Sequence, residues 1–108
     1  MPRRLPNYLR RVRRRDGFSQ REIAFLLGAC GDGEVSKYES FARRPPLATA
    51  FLYEQLSGVP LRELFAGMYE EARATLGERA RVLAGRLEGT RGTERKRQLL
   101  QALISNHY

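Results

Sequence analysis

Two short helical patterns joined by a glycine-rich turn constrain the fold of this chain most. The stretch FSQREIAFLLGACGDGEVSKYES, residues 18–40, contains an apolar run that stops at Gly28, a tight turn, and a second run with apolar residues on one side. Ser19 and Glu22 have the spacing of a capping box, which predicts that a helix begins after Ser19. Helices this short are unstable in isolation. We therefore expect both to be held by packing inside a small helical domain.

The rest of the chain also shows helical periodicity, and no strand pattern is found. Glycine and proline mark the expected ends of the segments. The sequence therefore predicts an all-α fold. The expected boundaries are Pro6 and Gly17 for the first helix, Asp32 as the cap of the third, Gly58 as the end of the fourth, Gly67 as a break within 61–88, and Thr93 as the cap of the last.

The larger apolar side chains at helical spacing are expected to form the core. None of them requires a functional explanation. The expected core residues are Ile23, Leu26, Leu27, Val35, Tyr38, Leu47, Phe51, Leu52, Leu56, Leu64 and Phe65.

The chain is basic, and the charge is concentrated at its start. Its 108 residues include 20 Lys and Arg against 12 Asp and Glu, a formal net charge of +8. Residues 1–44 carry eleven basic and five acidic side chains, whereas 45–90 carry five and six, and 91–108 carry four and one. This distribution predicts an anionic partner for the first third of the chain. Nucleic acid is favoured over an anionic membrane or an acidic protein, and a basic surface kept for solubility is the remaining alternative.

Composition argues against several function classes. Cys30 is the only cysteine and His107 the only histidine, so a disulfide within the chain, a cysteine metal cluster and a histidine-based catalytic triad are not expected. The basic start lacks the apolar stretch of a secretory signal, and no run approaches the ~20 apolar residues of a membrane span. We expect a cytoplasmic protein that is not an enzyme and needs no cofactor or metal.

The order of short motifs resembles the Cro/repressor-type helix-turn-helix family, also called the Xre family. The resemblance spans roughly residues 5–67 and implies a five-helix lambda-repressor-like domain over 1–67, with a helical extension over 68–108. The turn between Gly28 and Val35 is one residue longer than the family usually has. Phe41 stands where many relatives have glycine, so the third helix is expected to run on, with Phe41 packing inward. The matching motifs are Gly17-Phe18-Ser19-Gln20, Glu22-Ile23-Ala24, Leu27-Gly28, Val35-Ser36-Lys37-Tyr38-Glu39, Arg43-Arg44-Pro45 and Glu63-Leu64-Phe65.

The resemblance implies that the helix from Asp32 to Ser40 enters the major groove of DNA while the second helix lies across the backbone. It also implies that a salt bridge between Arg13 and Glu39 orients that helix. The alternatives are that Gln20 is only a surface residue, that Asp32 only caps, and that Glu34 is only solvated. The side chains expected to face bases are Asp32, Gly33, Glu34 and Lys37. Those expected at phosphates are Gln20, Arg21, Ser36, Ser40, Arg43, Arg44, Arg3 and Arg4.

The expected function is that of a sequence-specific transcriptional regulator of bacterial type, a repressor that binds double-stranded DNA at the nucleoid. Residues 68–108 carry an apolar stripe with too little core to cover it. They either fold back on each other or pair with a second copy, and a homodimer is favoured because it sets two recognition helices ~34 Å apart. The alternatives are an antitoxin that binds its toxin through 68–108 and represses its own operon, an adaptor for protein contacts, and a DNA-attracting tail over 91–108.

Overall fold

The computed structural model describes residues 4–29 and 31–105, and these fold into seven α-helices without a strand. The expectation of an all-α fold is confirmed for this part of the chain. The chain divides into two compact units, Met1–Met68 and Tyr69–Tyr108. The helices are α1 (Leu9–Asp16), α2 (Gln20–Leu27), α3 (Asp32–Glu39), α4 (Leu47–Ser57), α5 (Leu61–Leu64), α6 (Ala66–Leu87) and α7 (Glu94–Ser105).

The first helix begins later than expected from Pro6. The backbone N–H of Tyr8 donates to the Leu64 carbonyl at 2.8 Å. The Asn7 Oδ1 accepts the Leu9 N–H at 3.1 Å and so satisfies one of the free donors of the new helix. Because residues before Leu9 bond to a distant element or cap the helix, they do not enter it.

Gly67 lies where the start of the chain passes against the first turn of α6. Its N–H donates to the Leu5 carbonyl at 2.9 Å. A Cβ at Gly67 would lie 2.7 Å from the Arg4 carbonyl oxygen and closer still to that of Leu5. Only glycine allows this approach. The break expected near Gly67 occurs at Phe65, which separates the short α5 from α6.

The capping box of α2 is confirmed. Ser19 Oγ accepts the Glu22 N–H at 3.0 Å, and Glu22 Oε1 accepts the Ser19 N–H at 2.8 Å. Gly28 ends α2 in the left-handed conformation, with φ 70°. The expectation that Asp32 caps α3 is wrong. Gly31 occupies the cap position and Asp32 is the first helical residue, because the extra residue of the turn is taken up before the helix.

The core of the first unit lies between α1, α2, α3, α4 and α5. Four residues expected there, Leu26, Leu47, Phe51 and Leu52, are exposed instead. On α4 the inward face is formed by Ala50, which is smaller than leucine, and Tyr53, which is less apolar. Leu47, Phe51 and Leu52 lie on the opposite face. The buried cluster is Leu9, Ile23, Ala24, Val35, Tyr38, Ala50, Tyr53, Leu64 and Phe65, with Leu27 and Leu56 partly buried against it.

The expectation that α3 runs on with Phe41 inside is also wrong. The helix ends at Glu39, and Phe41 takes the left-handed conformation, with φ 68°, that glycine adopts in this position more readily. Its ring is exposed. The Ala42 N–H donates to the Lys37 carbonyl at 2.9 Å, which closes the helix end in the manner of a Schellman motif.

Candidate nucleic-acid interface

The third helix has a buried face and an outward polar face. Val35, Tyr38 and Glu39 are buried, and Val35 has no exposed surface. The outward face follows from 3.6 residues per turn, because positions three and four apart lie together. Of the residues expected at DNA, the exposed ones on this helix and its end are Asp32, Gly33, Ser36, Lys37 and Ser40.

A buried carboxylate fixes the orientation of α3. Arg13 Nε and Nη2 donate to Glu39 Oε2 and Oε1 at 2.6 and 3.1 Å, the two-pronged geometry that arginine forms with carboxylates. Only 3 % of the Glu39 side chain and 11 % of the Arg13 side chain are exposed. The pair thus takes the arrangement that the family resemblance implied, and Glu39 raises the pKa of the Arg13 guanidinium.

The same carboxylate also binds the second helix. Gln20 Nε2 donates to Glu39 Oε1 at 3.1 Å, and Arg13 Nη1 donates to the Phe18 carbonyl at 3.0 Å. One Glu39 carboxylate therefore connects α1, α2 and α3. The Gln20 amide, expected at a phosphate, is half-buried and one of its donors is used inside the protein.

A second buried contact holds the end of α3, and sequence reasoning missed it. Asn7 Nδ2 donates to the Tyr38 carbonyl at 3.0 Å, and 4 % of Asn7 is exposed. This bond satisfies a carbonyl in the last turn, where helices lack internal partners. The available signal was the position of Asn7, two residues before the first buried leucine of α1, where asparagine often caps helices.

Glu34 and Arg43 form an ion pair with each other, at 2.7 Å between Nη1 and Oε1. Tyr38 donates its hydroxyl to Glu34 Oε1 at 3.4 Å. Glu34 was expected either to read a base or to be solvated, and Arg43 to contact phosphate. In the free protein each side chain instead neutralises the other at the edge of the α3 face.

The remaining arginines expected at phosphates lie outside α3. Arg21, Arg44 and Arg4 are exposed. Arg3 lies outside the described residues. The first unit carries twelve Arg and Lys against seven Asp and Glu, so it is the more strongly charged of the two units. Such an excess raises the local concentration of an anionic ligand.

Two tyrosines beneath the α3 face are strongly affected by burial. Burial, helped by the nearby Glu34, raises the pKa of Tyr38. Burial raises the pKa of Tyr53 much further, and the Glu39 charge adds to the effect. The Tyr53 hydroxyl is buried and has no hydrogen-bond partner in the described part of the chain. Both groups favour a neutral phenol at physiological pH.

Residues 4–29 and 31–105 contain no group of three or more His, Cys, Asp and Glu side chains placed to hold a metal ion. No helix in the same ranges has both the length and the apolar character needed to cross a membrane.

Comparison with protein-family models, with curated proteins and with solved structures found no match to this chain. The function therefore has to be inferred from the geometry of the two units.

Proposed function

We propose that the first unit is a five-helix lambda-repressor-like domain that binds double-stranded DNA, and that the chain is a sequence-specific transcriptional repressor that acts by binding and not by catalysis. The observation that supports this most is the short α3, whose outer side is polar and exposed while its inner side is held by the buried Glu39 carboxylate. A recognition helix must project side chains into a groove without changing its own orientation.

The chemistry of the outer face suits the major groove. The groove is about 12 Å wide and accepts one helix. Gly33, Ser36 and Ser40 are small, so the helix backbone is able to approach the bases closely. Lys37 is the one long cation on this face, and its ammonium is suited to the O6 and N7 acceptors of guanine.

Phosphate contacts are proposed for the polar and basic side chains around that face. The N-terminus of α2 adds free N–H groups and a positive dipole end. Such contacts supply affinity and register, and little direct sequence information. Arg43 has to leave Glu34 to reach a phosphate. The proposed contacts are Gln20, Arg21, Ser36, Ser40, Arg43, Arg44 and Arg4.

The test begins with selection of bound fragments from random duplexes, followed by anisotropy titrations with the selected duplex and a scrambled one. Lys37→Ala is expected to weaken selected binding by ~1–3 kcal/mol and leave scrambled binding nearly unchanged. Arg44→Ala is the comparison, since it is expected to weaken both duplexes alike and to reduce the salt dependence. The proposal is overturned if the chain binds no duplex at low salt.

The antitoxin alternative uses the same DNA-binding unit and differs in what residues 68–108 bind. For a repressor the sequence favoured a second copy as the partner of these residues, and for an antitoxin its toxin. The observation that keeps both proposals open is the exposed apolar surface on α6 and α7, where Tyr69, Leu76 and Leu99 each keep about half of their area exposed. A soluble chain rarely leaves such residues together without a partner.

A further inference from the structure

The second unit has almost no interior of its own. Within 69–105, Ala80 is the buried apolar residue, whereas large apolar side chains on both helices remain exposed. Leu103 near the end of α7 lines a groove together with Tyr69 near the start of α6, so the two helices run antiparallel. A hairpin of this kind gains little from its own burial, and its stability depends on another apolar surface.

One side of this hairpin carries a regular apolar stripe. Tyr69, Leu76 and Leu83 are spaced seven residues apart on α6, and 52 %, 50 % and 43 % of their areas are exposed. A seven-residue spacing returns to the same helix face after two turns, which is the pattern of a helix-to-helix seam. Leu99 and Leu103 on α7 are four apart and also exposed. They share one face of that helix.

The stripe borders a groove of about 400 Å³ between the two helices. We refer to it as the apolar groove. Its lining is mainly apolar and comes from two helices, which suits the apolar face of an amphipathic helix. Its lining residues are Tyr69, Ala72, Arg73, Leu76, Gly77 and Leu103.

The charges beside the stripe all have one sign. Arg73 and Arg79 lie three residues before and after Leu76, and Arg86 lies three after Leu83. Residues three apart are neighbours on a helix surface, so these arginines flank the stripe. Arg79 and Arg86 are exposed and form no ion pair within residues 4–29 and 31–105.

The acidic residues of the second unit lie elsewhere. Glu88 and Glu94 line a different groove, of about 690 Å³, on the other side of the hairpin. At about 100° per residue, Glu70, Glu71 and Glu78 each lie about 120° or more around α6 from Leu76. Arg81 and Arg97 also line that larger groove and pair with Glu78 and Glu94. The positions three and four residues from Leu76 and Leu83 therefore include arginines and no acidic residue.

We propose that the apolar groove docks an amphipathic helix of another protein whose apolar face is flanked by acidic residues. The apolar side chains supply the contact area, and the exposed Arg79 and Arg86 select for the acidic flanks. A second copy of this chain fits less well. An antiparallel pair centred on Leu76 sets Arg73 of one copy near Arg79 of the other, and a parallel pair sets Arg79 against Arg79. Like charges across an interface are unfavourable. This proposal is independent of DNA binding.

The first test uses the full chain and two labelled synthetic peptides of three heptads, with Leu at the core positions and Glu or Lys at the flanking ones. The Glu peptide is expected to bind, and the Lys peptide to bind at least tenfold more weakly. Leu76→Gln is expected to weaken binding of the Glu peptide at least tenfold. The matched control is Val82→Gln, on the same helix and 55 % exposed, but about 120° around it from Leu76. Neither change adds a charge beside Arg79 or Arg86, and Val82→Gln is expected to bind as the wild type does.

The second test addresses the charges. Arg79→Gln combined with Arg86→Gln is expected to weaken the Glu peptide at least fivefold and to reduce its salt dependence. Arg81→Gln is the control, because Arg81 lines the opposite groove and pairs with Glu78 at 3.3 Å. Urea unfolding measured on the same variants reports on the first unit, and circular dichroism reports on the helices.

Four results would overturn the proposal. One is equal binding of the Glu and Lys peptides, and another is equal loss in Leu76→Gln and Val82→Gln. A wild-type dimer in sedimentation that Leu76→Gln dissociates would assign the groove to a second copy. Binding to phosphatidylserine vesicles without binding to the Glu peptide would assign it to a membrane surface.

Discussion

The two units of this chain differ in how far their apolar side chains are buried. The first unit buries nine residues in one cluster on the inner side of α3, while the second, within 69–105, buries Ala80 and leaves most of its leucines exposed. The outward surface of α3 is correspondingly polar, whereas α6 carries an exposed apolar stripe. A polar helix face over a filled core is able to bind a ligand without rearrangement. An apolar face with no core beneath it is stabilised by whatever binds there.

The largest expected effect tests the rigidity of the first unit. Arg13→Ala leaves the Glu39 carboxylate buried without its main partner, which is expected to lower the free energy of unfolding by ~3–5 kcal/mol. Urea denaturation measures the change. Arg15→Ala is the control, since Arg15 pairs with Asp16 at 2.9 Å on the surface and its removal is expected to change little. Equal losses in the two variants would mean that Glu39 does not depend on Arg13.

The next prediction compares one leucine from each unit. Leu64→Ala removes a side chain that is 1 % exposed and is expected to destabilise the first unit by ~2–5 kcal/mol. Leu76→Ala removes a half-exposed side chain and is expected to change stability by less than ~0.5 kcal/mol. Thermal and urea unfolding of both variants measure the difference. Comparable losses would show that the second unit has an interior after all.

Replacing either of two glycines on α6 with alanine is expected to change stability by a smaller amount, and the two changes are expected to have opposite signs. Gly67→Ala places a methyl group against the backbone of the first residues of the chain and is expected to cost ~1–3 kcal/mol. Gly85 has no atom within 4 Å of an added Cβ, so Gly85→Ala is expected to stabilise the helix by up to ~1 kcal/mol. Unfolding midpoints of both variants check the signs. Stabilisation by Gly67→Ala would contradict the close approach.

The smallest expected effect concerns the unpartnered phenol. Tyr53→Phe removes a buried hydroxyl without breaking a hydrogen bond and is expected to raise the free energy of unfolding by about 1 kcal/mol. The matched change Tyr69→Phe, on the exposed stripe of the second unit, is expected to have no effect.

Tyr53→Phe is also expected to change how the free energy of unfolding depends on pH. Burial raises the pKa of Tyr53 in the folded protein above its unfolded value. The neutral phenol therefore contributes stability that is complete below about pH 10, the unfolded pKa, and is lost as the pH rises toward the folded pKa. Urea titrations between about pH 8 and pH 11 are expected to show a steep loss for the wild type and a shallower one for Tyr53→Phe. The remaining slope comes from Tyr38, whose pKa is also raised.

Local signals predicted the ends of α2 well. The Ser19–Glu22 capping box and the terminal Gly28 depend on neighbouring residues, so no knowledge of the tertiary fold was needed. The start of α3 was mispredicted because two residues, Gly31 and Asp32, were both suitable caps. The pattern alone does not show which of the two takes the cap position when the turn is one residue longer.

The inward face of α4 was not predictable from periodicity. Its sequence, LATAFLYEQLS, is apolar around most of the helix, so spacing indicates no single buried side. Choosing the largest residues favoured Leu47 and Phe51, whereas packing against α1 and α2 selects Ala50 and Tyr53. Close packing between helices depends on shape, and a small residue is often required at the contact.

The candidate site also contains some features that the sequence predicts and others that it does not. The polar exposure of Gly33, Ser36 and Lys37 follows from helical spacing once Val35 is inside. The Glu34–Arg43 pair joins α3 to the loop that follows it, so no periodicity predicts it. The Arg13–Glu39 pair was implied by the family resemblance and not by any spacing in the chain.

The bonds that hold Glu39 all come from beneath α3, and none uses a side chain of its outward surface. Gly33, Ser36, Lys37 and Ser40 are therefore free to be exchanged without disturbing the scaffold. If α3 reads DNA as proposed, mutation at these four positions would change which duplex is bound while leaving the fold intact, and new targets would be reached by single substitutions.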